Sequence, residues 1–440
     1  MVDGLVGELR QWEAVSRVGG PLEKHRTQID AVLVLLNAGV VDARERLADG
    51  RADSVPARIL DLHHVWDFFR GRFLLRRVRG YRRTLEVADE LAWECYRPVL
   101  DLPGSRPKEP PLAGFSRTAS PRAHRRGSAY LDLLPRGGIH TREGRIAAAR
   151  LPFPVIDIPW HYDVQLPALL TVAHEAGHHI EDDCGLGDEI RERIRAAELP
   201  PERVPHWEHW RGEAFADVCA AVVCGTAYAE VLAELLEVGG AGVAGAAGAA
   251  RTTEAVERAG TTGGARTEGL LDGQHPPPAI RVRLARAAAV AAGHPRGADG
   301  PDEPHGPEIT AIVSALLDTG YDGLGGRRLT HLLVPPDAED VFVAAERLLH
   351  RRPSGCARAA TALAAAALAF QRDPVGYEQG GVAERVEAEV LRLRGTGSRA
   401  PTRRGEAAVE EGRLPAYGEA GELLLQALDA DGASSGAIRP

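Results

Sequence analysis

The sequence has no apolar run long enough to cross a membrane. Its longest apolar stretches, at 31–36 and 359–370, are far shorter than the about 20 residues that a membrane-spanning helix needs. Residues 1–10 are polar and mixed in charge, without the charged-then-apolar pattern of a secretory signal. We therefore expect a soluble protein that carries no membrane span.

Cysteine is scarce and is not arranged in metal-binding pairs. The five cysteines are odd in number, and none of them shows CxxC spacing. They are Cys95, Cys184, Cys219, Cys224 and Cys356. This usage indicates a reducing compartment, and we expect a cytoplasmic location.

Lysine is limited to Lys24 and Lys108, and the chain carries a net charge of −9. Because affinity for nucleic acid comes from clustered positive charge, this balance argues against a general nucleic-acid binder. One segment, 70–83, places arginines among apolar residues at helical spacing and predicts an amphipathic basic helix. Its arginines form either a solvated, salt-bridged face or a surface for an anionic partner such as a membrane, nucleic acid or acidic protein. They are Arg70, Arg72, Arg76, Arg77, Arg79, Arg82 and Arg83.

Composition divides the chain into segments of different character. The length and the hydrophobic content of 44% are sufficient for two or three domains, and the predicted class is mostly α with a small β-sheet. The predicted segments are a helical N-terminal domain at 1–102, a linker or exposed loop at 103–128, a further domain at 129–295 with a Gly/Ala-rich loop at 239–264, a helical C-terminal domain at 308–394 and a largely disordered tail at 395–440. Helical periodicity is found at 29–41, 64–93, 309–317, 338–349, 359–370 and 382–393.

The pentapeptide HEAGH at 174–178 is the one motif whose spacing alone specifies a chemistry. If this segment is helical, His174 and His178 stand one turn apart on the same face and can bind one metal ion. Glu175 then lies beside the metal without being a ligand, where its carboxylate can take a proton from water that the metal activates. This division of roles is typical of zinc peptidases.

The residues around the motif favour a helix that enters a hydrophobic core. Pro167 suits an early helical position, and apolar residues recur at three-to-four spacing as far as Ile180. Gly177 costs about 1 kcal/mol relative to alanine inside a helix, which indicates that something packs closely against this turn. Upstream, 154–159 is bounded by prolines and predicts a short strand that could pair with an extended peptide substrate.

Two histidines leave a catalytic zinc site one protein ligand short. The metzincin pattern requires a glycine and a histidine where this chain has Glu181 and Cys184, so that class is not expected. Cys184 could still bind zinc, although a small half-buried residue at a helix end is the simpler interpretation.

A second predicted helix at 210–221 carries Glu213 and, one turn later, Asp217. Glu213 can supply the oxygen ligand, while Asp217 accepts the other N–H group of a ligating histidine and fixes its tautomer. Taken alone, the acidic pair would be the solvated face of an amphipathic helix. Downstream of HEAGH it predicts a third zinc ligand and its support.

These motifs resemble the gluzincin group of zinc metallopeptidases, because HEAGH at 174–178 is followed by EAFAD at 213–217. A further element, HPPPAIR at 275–281, is similar to the HPP-x-x-x-R element of the HtpX and CAAX-prenyl-protease type. The resemblance covers about 150–290. It implies a zincin-like catalytic domain with Zn²⁺, in which His275 and Arg281 are catalytic residues that contact substrate or the developing oxyanion. Members of that type usually carry transmembrane helices, and this sequence predicts none.

The sequence thus predicts a zinc-dependent metallopeptidase that hydrolyses a protein or peptide substrate. His174, His178 and Glu213 are the predicted ligands, Glu175 is the general base, and Asp217 orients a ligating histidine. Two alternatives stay open. One is a non-catalytic zinc domain for regulation or partner binding, which a fourth protein ligand would favour; the other is a regulatory protease with one dedicated protein substrate.

Other side chains near the motifs are weaker candidates. On a helix, His179 points about 100° away from His178, so it is expected to be a neighbour and not a ligand. Four further residues are candidates for a donor to the transition state: His161, Tyr162, His206 and His209.

Overall fold

The computed structural model shows a mostly helical protein with one small β-sheet, which confirms the predicted class at that level. It describes residues 1–17, 22–102, 109–128, 130, 139, 141, 145, 150–248, 275–294 and 306–396. Among these residues, no helix is both long enough and apolar enough to cross a membrane.

The first three helices pack into one core together with Leu112, Tyr130 and apolar residues of 151–155. They are α1 (Val2–Ser16), α2 (Arg26–Ala48) and α3 (Val55–Leu75), and α2 contains the predicted helix at 29–41. Each presents an apolar stripe to the others, and the indoles of Trp12 and Trp66 meet edge to face at 5.1 Å.

The predicted basic helix at 70–83 is broken in the structure. α3 ends at Leu75, and α4 (Arg79–Leu100) begins after a short turn and buries its apolar face in a second, larger core. The N-terminal helical region therefore belongs to two cores, with α4 packed among the helices that carry the metal-binding motif.

Two of the seven arginines in this segment are paired with carboxylates, and of these Arg76 is buried and Arg72 is half-buried. Arg72 lies 2.7 Å from Asp157, and Arg76 lies 2.8 Å from Asp89. The interpretation as a single amphipathic basic helix is wrong, because carboxylates on other elements draw these two side chains inward. An anionic partner stays a prediction for the arginines that are exposed, namely Arg77, Arg79, Arg82 and Arg83.

The sheet has three strands, β1 (Leu112–Ser116), β2 (Arg122–His124) and β3 (Val155–Pro159), in the order β1-β3-β2. β1 and β3 run parallel with Leu112 opposite Val155, whereas β2 runs antiparallel with His124 opposite Val155. The predicted strand at 154–159 is therefore present as β3, at the centre of the sheet.

Two expectations about this sheet are wrong. The linker or exposed loop at 103–128 contains β1, whose residues 112–115 are buried, and also β2. The sequence predicts a loop here because β1 is short and flanked by residues typical of turns. In addition, β3 cannot pair with a peptide substrate over 155–157, because β1 and β2 occupy both of its edges there.

The sequence motifs lie on helices of the larger core. Two short 3-10 turns connect β3 to α5 (Thr171–Asp183), which packs across α8 (Arg211–Cys224). The neighbouring helices are α6 (Gly187–Ala196), α7 (Val204–His209), α9 (Thr226–Gly248) and α10 (Pro278–Ala291). α9 covers 239–248, so the predicted Gly/Ala-rich loop is wrong for that part. The rest of 239–264 lies outside the described residues.

The C-terminal helices share the same core. They are α11 (Pro307–Leu317), α12 (Leu329–Leu332), α13 (Ala338–Leu349), α14 (Ala359–Arg372), α15 (Pro374–Gly380) and α16 (Val382–Thr396). They confirm the helices predicted at 309–317, 338–349, 359–370 and 382–393. Alanine-rich α14 packs closely against α4 and α13 because its small side chains let neighbouring helices approach. Of the predicted tail at 395–440, the structure describes only the end of α16.

Candidate metal centre

Helix α5 presents the two histidines of HEAGH on one face, as the motif predicts. The Nε2 atoms of His174 and His178 lie 3.1 Å apart, and their rings meet at a right angle with centroids separated by 4.7 Å. His174 is buried, whereas the side chain of His178 is 14% exposed. The two nitrogens thus converge on one point at the surface of the core.

Gly177 allows α5 to approach α8 closely. A Cβ atom at Gly177 would lie 2.9 Å from the Cα of Ala216 and 3.1 Å from the Cβ of Cys219. No side chain fits in that space, which confirms the expectation that something packs closely against this turn. The contact places Glu213, one turn before Ala216, opposite the two histidines.

Glu213 completes a group of three possible ligands. Its Oε2 lies 3.5 Å from His174 Nε2, and its Oε1 lies 3.4 Å from His178 Nε2. Each of the three residues offers one ligand atom, and these three atoms all lie within 4.8 Å of one another. Ligand atoms about 2.0–2.1 Å from a tetrahedral ion are separated from one another by roughly 3.3 Å. The observed separations fit that spacing, so these residues could hold a metal ion.

Behind His174 lies a buried polar network centred on Asp217. The Nδ1 of His174 is 2.8 Å from Asp217 Oδ1, and the Tyr228 hydroxyl donates to the same oxygen at 2.6 Å. Arg281 donates through Nη2 to Oδ1 at 2.7 Å and through Nε to Oδ2 at 2.8 Å. Asp217 therefore supports His174 from the side opposite the ligand atoms, as predicted for this residue.

The pKa values of these groups reflect the charges packed around them. Burial alone would lower the pKa of His174, but the adjacent Asp217 carboxylate outweighs it and raises the pKa to about 10. Burial works to raise the pKa of Glu213, yet hydrogen bonds with His174 and His178 hold it well below its usual range. Burial likewise opposes ionisation of Asp217, and the Arg281 charge holds its pKa low. Two ionised carboxylates thus face the histidines and favour a bound cation.

Glu175 lies one residue from His174 and is buried. No hydrogen bond reaches its carboxylate from the part of the chain that the structure describes. Burial raises the pKa of the neighbouring Tyr162 phenol to about 12, and the charge of Glu175 acts in the same direction. A role for the Glu175 carboxylate in proton transfer stays a prediction.

The structure brings both residues of the HPPPAIR element to the centre, in different environments. His275 has a 62% exposed side chain, and its Nδ1 lies 3.2 Å from Glu213 Oε2 at the mouth of the site. The Arg281 side chain is only 12% exposed, and two of its nitrogens bind Asp217. Its Nη2 also lies 3.5 Å from Glu213 Oε2. Contact of either residue with substrate stays a prediction.

The remaining candidates are not in the ligand group. Cys184 follows the last residue of α5, and the three-residue group contains no sulfur atom. His179 is buried beside β3, and burial lowers its pKa to about 3. Among the candidate donors, the charge of Glu175 reaches Tyr162, while the ring of His206 packs against Trp210. His161 and His209 are exposed.

Tyr228 is the residue of this centre that the sequence did not indicate. It lies in the first turn of α9, directly after a glycine turn in which Gly225 has φ +66°. A side chain at Gly225 would collide with the ring of His294, 2.8 Å away. The turn brings α9 back along α8. No spacing in the sequence predicts that Tyr228 then contacts Asp217.

No protein-family model, no curated protein and no solved structure matches this chain. Its function is therefore inferred from the residues of the centre and their geometry.

Proposed function

We propose that this protein is a zinc-dependent metallopeptidase with a zincin-like catalytic domain. The observation that carries the proposal is the convergence of His174 Nε2, His178 Nε2 and a carboxylate oxygen of Glu213 at tetrahedral spacing, with Glu175 beside them. Two histidines and one glutamate are the ligand set of a catalytic zinc site, which keeps its fourth position open. The described residues supply no fourth ligand to this group, which favours catalysis over a closed structural site.

When bound, Zn²⁺ would act as a Lewis acid and lower the pKa of water to about 7. The residues around it divide the remaining work. Glu175 takes a proton from the attacking water and returns it to the leaving amine, so that one carboxylate acts first as base and then as acid. The candidate donors to the developing oxyanion are His275, whose Nδ1 lies 3.2 Å from Glu213 Oε2, and Tyr162, which the charge of Glu175 reaches.

The substrate class follows from the reaction and from the sheet. β2 is an edge strand that packs against α5, and in the described residues its outer edge has no paired strand. An extended protein or peptide segment can add to such an edge through main-chain hydrogen bonds. We therefore assign β2, in place of β3, as the strand that aligns the substrate. All five cysteines are free thiols, in keeping with the proposed cytoplasmic location.

The test compares Glu175→Gln with the wild type on a proteome-derived peptide library with zinc present. The variant is expected to lose activity by about 10²–10⁴-fold and to keep its zinc, since Glu175 moves a proton and is not a ligand. Glu181→Gln is the matched control because Glu181 is equally buried on the same helix. Burial raises the pKa of Glu181, so a neutral amide is tolerated there.

Undiminished cleavage by Glu175→Gln would reject the mechanism. A wild-type protein that binds no zinc would reject the metal centre itself. A protein that binds zinc tightly but cleaves no peptide in the library would favour the non-catalytic alternative.

A further inference from the structure

We propose that Tyr228 is a positioning residue that fixes the protonated nitrogen of His174 and thereby directs its other nitrogen to the metal. The inference rests on the metal centre of the proposed function and adds a residue to it. Tyr228 acts through Asp217 and His174 and contacts neither the ligand position nor substrate. Its side chain and that of Asp217 are completely buried.

The hydroxyl of Tyr228 has one proton, and the geometry shows where that proton goes. The oxygen lies 2.6 Å from Asp217 Oδ1 and 3.3 Å from His174 Nδ1. An ionised carboxylate is the stronger acceptor, so the hydroxyl donates to Asp217. The lone pairs of the phenol oxygen then face His174.

His174 Nδ1 consequently has two acceptors beside it. Asp217 Oδ1 at 2.8 Å is the nearer one, and the Tyr228 oxygen is the second. A proton on Nδ1 satisfies both, whereas a lone pair on Nδ1 would face two electron-rich oxygens. Nδ1 therefore carries the proton, and Nε2 is left with the lone pair that a metal ion needs.

Tyr228 also restrains Asp217 itself. Arg281 holds the carboxylate from α10 through both oxygens, and Tyr228 holds Oδ1 from α9. Asp217 belongs to α8, so three helices meet at one carboxylate. Without the phenol, the carboxylate can turn about the guanidinium and weaken its contact with His174.

The experiment compares Tyr228→Phe with Tyr321→Phe. Tyr321 is the matched control because it is also fully buried and its hydroxyl donates to a backbone oxygen, Leu316 O at 2.9 Å, away from the ligand group. Zinc affinity is measured by competition with a chromogenic chelator. Loss of a partner that orients a ligand lowers affinity by about 10–100-fold, and we expect about tenfold for Tyr228→Phe and less than twofold for Tyr321→Phe.

Two spectroscopic readouts separate positioning from general loss of stability. The visible absorption bands of the Co²⁺-substituted protein are expected to shift in Tyr228→Phe and to stay unchanged in Tyr321→Phe. In the wild type, ¹⁵N NMR of His174 is expected to show the proton on Nδ1 in the zinc-bound protein. This second measurement needs no variant, so it tests the inference even if Tyr228→Phe does not fold.

The failures of the two proposals are distinguishable. Equal zinc affinities and equal cobalt spectra for both variants would overturn the role of Tyr228 and leave the metal centre intact. A proton on Nε2 of His174 in the zinc-bound protein would overturn it as well. If the wild type binds no zinc, both the proposed metal centre and the proposed role of Tyr228 are rejected.

Discussion

Two buried clusters in this protein contain the same three residue types but shift the pKa values of their histidines in opposite directions. In the first, which joins α4 to β1, Arg76 binds Asp89, and His25 Nε2 lies 3.5 Å from the same carboxylate. In the second, at the metal centre, Arg281 binds Asp217 and His174 Nδ1 lies 2.8 Å away.

The difference lies in what surrounds each histidine. Burial lowers the pKa of His25 to about 3, with the Arg76 charge acting in the same direction, and its Nδ1 is satisfied by Gln28 at 2.8 Å. Nε2 of His174 faces Glu213 and His178. Burial would lower the pKa of His174, but the Asp217 carboxylate raises it to about 10. A buried His–Asp–Arg cluster therefore indicates a site only when a histidine nitrogen remains directed at further ligands.

The largest expected effect comes from breaking the first cluster. Asp89→Ala leaves the Arg76 guanidinium buried and unpaired, and should lower the free energy of unfolding by about 3–5 kcal/mol. Urea unfolding measures this loss. Zinc affinity of the folded fraction should equal that of the wild type, and a parallel loss of zinc would show that the two clusters are not separate in function.

Breaking the second cluster should weaken zinc binding strongly and change stability less. Glu213→Ala removes a ligand, so zinc affinity measured by titration calorimetry should fall by at least about 100-fold, more than for loss of a supporting residue. Unfolding of the metal-free protein should change less than in Asp89→Ala. Glu230→Ala is the control, because it breaks a 2.8 Å ion pair with Arg286 outside the ligand group. Full zinc retention in Glu213→Ala would remove Glu213 from the site.

The pH dependence of stability should reveal the neutral histidine of the first cluster. Burial lowers the pKa of His25 in the folded protein to about 3, below its ordinary value of 6.5, so the unfolded chain takes up a proton first. The contribution of His25 is therefore complete above pH 6.5 and is lost as the pH falls toward 3, by at most about 1.4 kcal/mol for each pH unit. His25→Gln should flatten the slope of unfolding free energy between pH 6.5 and 5. An unchanged slope would contradict this assignment.

The smallest expected effect comes from replacing the arginine of each cluster by lysine. Arg281→Lys keeps the charge but loses the fork that binds both oxygens of Asp217, so zinc affinity should fall by about tenfold, or 1.4 kcal/mol. Arg76→Lys removes the corresponding fork at Asp89 and should lower stability without any change in zinc affinity. Identical zinc affinities in both variants would indicate that Arg281 acts on substrate, as its sequence motif implies.

The parts of the centre that could be predicted are those with a local pattern. His174 and His178 share a face because they are one helical turn apart, and Glu213 with Asp217 repeats that spacing on a second helix. Tyr228 was not predictable, since its contact with Asp217 depends on the angle at which α9 returns after Gly225.

The errors in the fold have the same physical origin. The sequence does not indicate β1 because five residues carry little periodicity, and its partner β3 lies more than forty residues away along the chain. Arg72 and Arg76 have the helical spacing of a solvated face, and only the positions of Asp157 and Asp89 in space bring them inside. In both cases the structure depends on contacts between residues that are distant in the sequence, and a single sequence does not show which residues make such contacts.

The close approach of α5 and α8 at Gly177 also determines the distances between the possible ligand atoms. The histidines belong to one helix and Glu213 to the other, so the distance between the helix axes determines how far apart the ligand atoms stand. Ions of different radius require different separations between their ligands. Gly177, which has no side chain and is not one of the three possible ligands, thus sets how far apart those ligands stand.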